Sequence, residues 1–254
     1  LTRKDLPGLV EMVSELEGID ELSLTTNGSF LAKLADDLAE AGLDRVNVSI
    51  DSMDPEVFAK ITRGGKLSSV LAGIEAAKKA DLDPVKLNAV IMRGCNEAEI
   101  VPLMEFAASE GIVLRFIELM PMGEAADRDI EPMPLDDVIK VVENEWSLEK
   151  IFGPRGNGPA EYYRASREDV SGRVGFIFPL SNSFCDGCNR IRVTSRGTVR
   201  PCLARDEEYD LDIDEDTSVA VISSRLREVI KNKPYGHKWK RQEITSGEMS
   251  EIGG

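Results

Sequence analysis

Arg45-Val46-Asn47-Val48-Ser49-Ile50 alternates apolar and polar side chains along its whole length. Successive side chains of an extended strand point to opposite faces. Val46, Val48 and Ile50 therefore share one face, and Asn47, Ser49 and Asp51 share the other. The same division recurs upstream, where Leu22 and Leu24 oppose Ser23 and Thr25, with Asn27 beyond. Downstream, Val85, Leu87 and Ala89 oppose Lys86 and Asn88. In the segment Ile112 to Leu119, Arg115 sits mid-strand among Val113, Leu114, Phe116 and Ile117. Each strand thus offers an apolar face to packing helices and at least one polar group on the other face.

Helical patterns separate these strands. Asp5 to Leu16 carries Pro7 in its first turn, Phe30 to Ala41 stops at Gly42, and Asp54-Pro55 opens a short helix. Ser68 to Ala80 is Ala-rich, and Glu97 to Ser109 is closed by Gly111. Repeated strand-helix units with short connections imply a parallel sheet. A doubly wound sheet, covered by helices on both sides, would be apolar on both. A sheet curled around a polar ligand needs one polar face, so the expected architecture is part of a barrel with a wet interior. Ser49, Lys86 and Arg115 are expected to point inward, and Val46, Val48 and Ile50 outward. Two converging cations call for an anionic ligand, since an unpaired buried charge is costly.

After Met120-Pro121-Met122-Gly123 the pattern changes. Residues 124–134 read as a linking loop, Leu135 to Glu145 as a helix, and Phe152 to Pro159 as a Gly- and Pro-rich loop. Ala160 to Phe178 reads as a β-hairpin turning near Ser171-Gly172, and Ile191 to Val199 as another turning at Arg196-Gly197. Ser218 to Lys231 reads as a helix, and the polar tail from Pro234 as flexible until it meets a partner. This divides the chain into residues 1–123 and 124–254.

Of the 254 residues, 42% are hydrophobic, and 46 acids against 31 bases give a formal charge of −15. Such an excess argues against a generally basic nucleic-acid-binding surface and against adsorption to anionic membranes. No stretch approaches the roughly 18 apolar residues of a membrane span. The first residue is Leu1, and no charged leader followed by an apolar segment is visible. The chain reads as a fragment or a processed product.

Four cysteines lie at 95, 185, 188 and 202. A secreted disulfide framework would be denser in so long a chain. A reduced cytoplasmic thiol cluster that binds metal is the expectation. Cys185, Cys188 and Cys202 follow the spacing C-x2-C-x13-C. Three thiolates are one short of a closed tetrahedral zinc site, for which the single histidine, His237, is a candidate fourth ligand. A 4Fe-4S cluster with one open iron is the alternative, and spacing leaves both open. Arg190 and Arg192, two residues apart on an expected strand, would project to one side next to the cluster and clamp an anion. Cys95 reads as a buried structural thiol.

Several segments together resemble the GTP 3′,8-cyclase family, the radical S-adenosylmethionine enzymes that open molybdenum cofactor biosynthesis. They are LTTNG (24–28), RVNVSIDS (45–52), RFIELMPMG (115–123), FCDGCNRIRVTSRGTVRPCL (184–203) and MSEIGG (249–254), in order over essentially the whole chain. The resemblance implies an α/β fold, an incomplete (β/α)6 TIM-like barrel with a C-terminal α+β iron-sulfur extension. It implies conversion of GTP to 3′,8-cyclo-7,8-dihydro-GTP, started by a 5′-deoxyadenosyl radical drawn from S-adenosylmethionine. By matching position, Cys185, Cys188 and Cys202 would ligate a second 4Fe-4S cluster. Thr25, Lys86, Arg115, Arg190, Ile191 and Arg192 would hold GTP, and Ser49 and Met120 would contact S-adenosylmethionine. Gly253 and Gly254 match a double-glycine tail that reaches into the active site. The implied pathway partner is the cyclic pyranopterin monophosphate synthase, and the family's tendency to dimerise allows a homodimer, though no interface is legible in the sequence.

The sequence departs from the family in lacking the CxxxCxxC loop of the radical-generating cluster and the Gly-Gly-Glu-Pro motif. By this resemblance the first two strand-helix units are missing, no catalytic residue lies in the fragment, and the chain alone is expected to be inactive. Two alternatives stand beside this reading. One is another radical enzyme with an auxiliary cluster, acting on a peptide. The other is a zinc-stabilised binding module, colourless where an iron-sulfur protein would be brown.

Overall fold

The computed structural model describes residues 1–122, 130–154, 158–236 and 239. They form two compact units, residues 1–119 with 131–177, and residues 120–130 with 178–254. In the first unit α1 (Leu6–Ser14) leads to β1 (Ser23–Thr26), α2 (Leu31–Glu40), β2 (Arg45–Ser49), α3 (Pro55–Ile61) and α4 (Leu67–Lys79). There follow β3 (Lys86–Val90), a 3₁₀ turn at Glu97–Glu99, α5 (Ile100–Glu110) and β4 (Val113–Ile117). After the linking segment come α6 (Leu135–Glu145), β5 (Ser147–Ile151), β6 (Glu161–Arg167) and β7 (Val170–Ile177).

The result is an α/β fold on one mixed seven-stranded sheet, in the order β1-β2-β3-β4-β7-β6-β5. Strands β1 to β4 are parallel, as the strand-helix repeat requires, and β7 pairs parallel to β4. Strands β6 and β5 then run antiparallel. The hairpin expected in the extension is therefore built into the first sheet, and compact packing does not follow the division at residue 123. The turn also differs: it falls at Glu168-Asp169, with Glu168 at φ +51°, and Ser171 and Gly172 lie inside β7. Gly172 serves packing instead, because a Cβ there would lie 3.0 Å from the Ala108 Cβ of α5. Strand β5 was not legible: SLEKI has no clean alternation, and its side chains are mostly exposed.

The faces divide as the alternation requires. Val46, Val48, Leu87, Ala89, Leu114, Phe116, Val174 and Phe176 are buried, and α5 packs on β4 and β7. Helix α2 packs on α4 through two glycines. A Cβ on Gly73 would meet the Gly28 carbonyl oxygen at 2.7 Å, and one on Gly28 would meet a Val70 methyl at 2.9 Å. Gly28 also holds φ +76°, suited to the turn from β1 into α2. Asp54 caps α3, accepting from the Glu56 and Val57 amides. Gly111 ends α5 in the left-handed conformation.

The loops after β2 and β3 are held together by buried polar groups. Glu99 Oε2 accepts from the Ser52 hydroxyl and from the Met53 and Asp54 amides at 2.7–3.0 Å. Asn96 Nδ2 donates to the carbonyls of Asp51 and Val90, and Asn96 Oδ1 accepts from the Met92 amide. Asp51 Oδ1 accepts from the Val90 amide at 2.8 Å, and burial pushes its carboxyl up to about pKa 6.

The second unit holds a 3₁₀ turn at Cys185–Gly187, a short hairpin of β8 (Arg192–Val193) with β9 (Val199–Arg200), and α7 (Val219–Lys231). Gly197, at φ +83°, makes the hairpin turn where it was expected. Ser218 caps α7. No described helix is long and apolar enough to cross a membrane.

Two consequences can be measured. Gly73→Ala should cost about 1–3 kcal/mol by overpacking the α2–α4 contact, read as a lowered unfolding midpoint. Asp51 has a folded pKa raised above its unfolded value, so its ionisation opposes folding above pH 6. Asp51→Asn keeps an acceptor for Val90 without the charge and should raise the midpoint at pH 7–8. The gain should shrink as pH falls from 6 towards 4, where the native carboxyl takes up its proton while the unfolded one is still largely ionised. A gain independent of pH would contradict this.

Candidate functional site

The polar face of the first sheet is built in register. Thr25 pairs with Asn47, and Asn47 with Lys86. Ser49 pairs with Asn88, Asn88 with Arg115, Arg115 with Gly175, and Gly175 with Tyr162. Ser49, Lys86 and Arg115 therefore share one face, opposite Val46 and Val48, as the alternation predicted.

Lys86 is 3% exposed and Arg115 9%. Arg115 Nε donates to Asn88 Oδ1 at 2.8 Å, and its Nη2 donates to Asn47 Oδ1 at 2.9 Å. Arg45 Nη1 donates to the same Asn47 oxygen at 3.2 Å, while Asn47 Nδ2 donates to the Thr25 hydroxyl. Arg45 also forms a two-pronged pair with Glu21, both contacts at 2.9 Å. Gly175 leaves room for the group: a Cβ there would meet the Tyr162 ring at 2.9 Å and the Arg115 stem at 3.3 Å.

Burial pushes the Lys86 ammonium down to about pKa 8, helped by the charges of Arg45, Arg115 and Arg173 and opposed by Glu21. Burial also lowers Arg115, as does Arg45, while Tyr162 opposes the shift. A face that holds cations at such cost is suited to an anion. Arg45 and Asn47 were not among the residues singled out from sequence as ligand contacts. The position of Arg45 at the head of the quoted stretch, two residues before Asn47 and so on its face, was the available signal.

Thr25 is exposed on this face, and Ser49 is exposed at the C-terminal end of β2. Binding sites of parallel sheets form at that end. A surface cleft at the other end, lined by Lys78, Asp81, Asp83 and Glu110 among others, contains none of the expected site residues. Met120 lies beyond the end of β4 and belongs to the second unit, half-buried against Met122, Ala204 and Trp239.

In the second unit the three clustered cysteines are free thiols. The Cys188 amide donates to the Cys185 carbonyl at 3.1 Å, which closes the loop between them. Burial raises the Cys202 thiol, and the charges of Cys185 and Cys188 raise it further, so the three sulfurs act on one another. Burial would also raise Cys188. The Arg190 amide and the side chains of Arg190 and Lys233 outweigh it and bring that thiol to about pKa 7. Among the described residues no three His, Cys, Asp or Glu side chains are set to hold a single metal ion. The donor set of three sulfurs in a cationic setting nevertheless fits an iron-sulfur cluster, whose thiolates each bind a different iron.

Arg190 lies ahead of β8, exposed, with its guanidinium 4.7 Å from the Phe184 ring centroid. Only Arg192 is on the strand, so the expected arrangement of both on one strand is corrected. Burial lowers Arg192, the Arg190 charge adds to this, and the thiols of Cys188 and Cys202 oppose it. Ile191 packs its side chain against Val199, Leu211 and Val229, leaving its backbone as the part able to meet a ligand. Cys95 is half-buried rather than buried. Gly123, His237, Gly253 and Gly254 lie outside the described residues.

Residues 1–107 match the model of the Radical SAM superfamily, and residues 112–239 that of Molybdenum Cofactor Synthesis C. GTP 3′,8-cyclase of Rhizobium etli (strain CIAT 652) is 43% identical over 93% of this chain and 68% of its own length. GTP 3′,8-cyclase of Rhodopseudomonas palustris (strain ATCC BAA-98 / CGA009) is 42% identical over 93% of this chain and 70% of its own. GTP 3′,8-cyclase of Pelotomaculum thermopropionicum is 42% identical over all of this chain and 79% of its own. With these matches running through both units, the chain belongs to the GTP 3′,8-cyclase family of radical S-adenosylmethionine enzymes.

Proposed function

We propose that the chain serves the conversion of GTP to 3′,8-cyclo-7,8-dihydro-GTP in molybdenum cofactor biosynthesis. One observation carries this reading. Lys86 and Arg115 lie buried on adjacent strands of the polar face, in a protein of net charge −15. A triphosphate offers several anionic oxygens and matches such a face.

Thr25, Lys86 and Arg115 are assigned to GTP on the first unit, with Asn47 and Asn88 holding the guanidinium of Arg115 in place. Ser49 is assigned to S-adenosylmethionine. On the second unit Arg190, Arg192 and the backbone of Ile191 are assigned to GTP, and Met120 to S-adenosylmethionine. Gly253 and Gly254 are proposed as the tail that reaches the active site. Cys185, Cys188 and Cys202 would hold a 4Fe-4S cluster. When bound, that cluster would supply an open iron for the purine, and S-adenosylmethionine, given one electron by the family's radical-generating cluster, would supply the 5′-deoxyadenosyl radical. The sheet is read as part of an incomplete (β/α)6 barrel. The functional division is drawn at residue 123, between residues 1–123 and 124–254. The pathway partner is the cyclic pyranopterin monophosphate synthase, the place of action the cytoplasm, and the assembly a homodimer.

Anaerobic reconstitution of the chain with iron and sulfide should give a brown protein with equal amounts of both. Cys185→Ser, Cys188→Ser or Cys202→Ser should abolish the loading. Stoichiometric zinc without sulfide would favour a zinc module instead.

GTP titration by calorimetry tests the cations. A charge-assisted contact contributes about 1.5–3 kcal/mol, so Lys86→Ala should weaken binding about ten- to a hundredfold at pH 7. Lys86 is protonated below its folded pKa of about 8, so parent affinity should fall as pH rises above 8. The variant should lack that fall. Over the same range the fold should gain stability, because the unfolded chain then binds more protons than the native one. Equal affinity of parent and variant at pH 7 would remove Lys86 from the site.

A further inference from the structure

The segment after α7, expected to be a flexible tail, lies across the cysteine loop. Lys233 Nζ donates to the carbonyls of Cys188 and Arg190, at 2.8 and 2.6 Å, and lies 3.3 Å from Cys188 Sγ. Tyr235 Oη donates to Asp186 Oδ1 at 2.7 Å, inside the turn between the two cysteines. Gly236 lies beside Cys185, where a Cβ would be in van der Waals contact with its sulfur at 3.7 Å. Arg205 Nε donates to the Gly236 carbonyl at 3.1 Å and ties the far end of the segment down. Within Lys233-Pro234-Tyr235-Gly236, three residues thus meet the loop, Lys233 at Cys188, Tyr235 at Asp186 and Gly236 at Cys185.

The chemistry at Lys233 is specific. Two carbonyls fix the ammonium by directed hydrogen bonds, and the third donor direction is free for sulfur. An ammonium donating to a thiolate sulfur draws electron density from the cluster that thiolate ligates. Hydrogen bonds to cluster sulfurs and nearby charge set the reduction potential of iron-sulfur centres. We propose that Lys233 is a positioning residue for the iron-sulfur cluster of the second unit, anchoring the Cys188 loop and raising the cluster's reduction potential through Cys188 Sγ. The proposal rests on the assignment of Cys185, Cys188 and Cys202 to that cluster.

The test uses the full chain, reconstituted anaerobically, as parent, Lys233→Met, Lys233→Arg and Tyr235→Phe. Iron and sulfide are counted first. Redox titration followed by electron paramagnetic resonance of the reduced cluster comes next. Lys233→Met should load iron but show a more negative potential and an altered spectrum, and Lys233→Arg should recover part of the shift. Tyr235→Phe loosens the loop without removing the charge, and should leave the potential near the parent's. If Lys233→Met fails to load, amide hydrogen exchange of the metal-free chain decides. Faster exchange confined to residues 185–190 supports the anchoring role, and unchanged exchange overturns it. A loaded Lys233→Met with the parent's potential and spectrum overturns the proposal while leaving the cluster assignment standing. A parent that takes up no iron and sulfide removes both, and the two failures are told apart at the first measurement.

Discussion

The oxygen of Asn47 accepts from two guanidiniums at once, those of Arg45 and Arg115. Much of the first unit follows from this. Buried cations on a sheet face are tolerated only if their donors are satisfied, because an unpaired charge or polar group away from water is expensive. Asn47, Asn88 and Glu21 meet that need and leave the row cationic. Burial, and after it the like charges of Arg45 and Arg115, hold the Lys86 ammonium near pKa 8. The opposite face, with Val46, Val48, Leu87 and Phe116 buried, supplies the apolar packing that keeps the strands together around this costly row.

Small residues are placed where this arrangement needs space. Gly175 stands beside Arg115 and Tyr162, where any side chain would displace one of them. Gly28 and Gly73 bring α2 against α4, and Gly172 brings α5 against β7. The loops at the C-terminal ends of β2 and β3 are tied by the hydrogen bonds of Asn96 and Glu99. Asp51 keeps a carboxylate at this rim despite its raised pKa, so stability is given up at the end of the sheet where ligands of parallel folds bind.

The second unit solves a related problem with the opposite charge. The three thiols proposed to hold a cluster would have to become thiolates, and Arg190, Lys233 and Arg205 provide positive surroundings for that. The arginines come from the cysteine segment and its neighbour. Lys233 comes from beyond α7, more than forty residues after Cys188.

Strand alternation was enough to place Ser49, Lys86 and Arg115 on one face, because a period of two leaves no freedom once the strand is recognised. Helix limits followed from caps at Asp54, Gly111 and Ser218, and the C-x2-C-x13-C spacing marked the thiol cluster. Tertiary structure alone decided which strands neighbour β4. The hairpin of β6 and β7 carries no local signal of its partner, and it joins the first sheet through pairing with residues far away in sequence. Ser171-Gly172 looked like a turn, yet the glycine is there because α5 packs against it. The loss of Arg190 from β8 and the crossing of the cysteine loop by Lys233 to Gly236 are likewise non-local. Composition and periodicity report what a residue prefers along the chain, and these positions were settled by what each one touches in the fold.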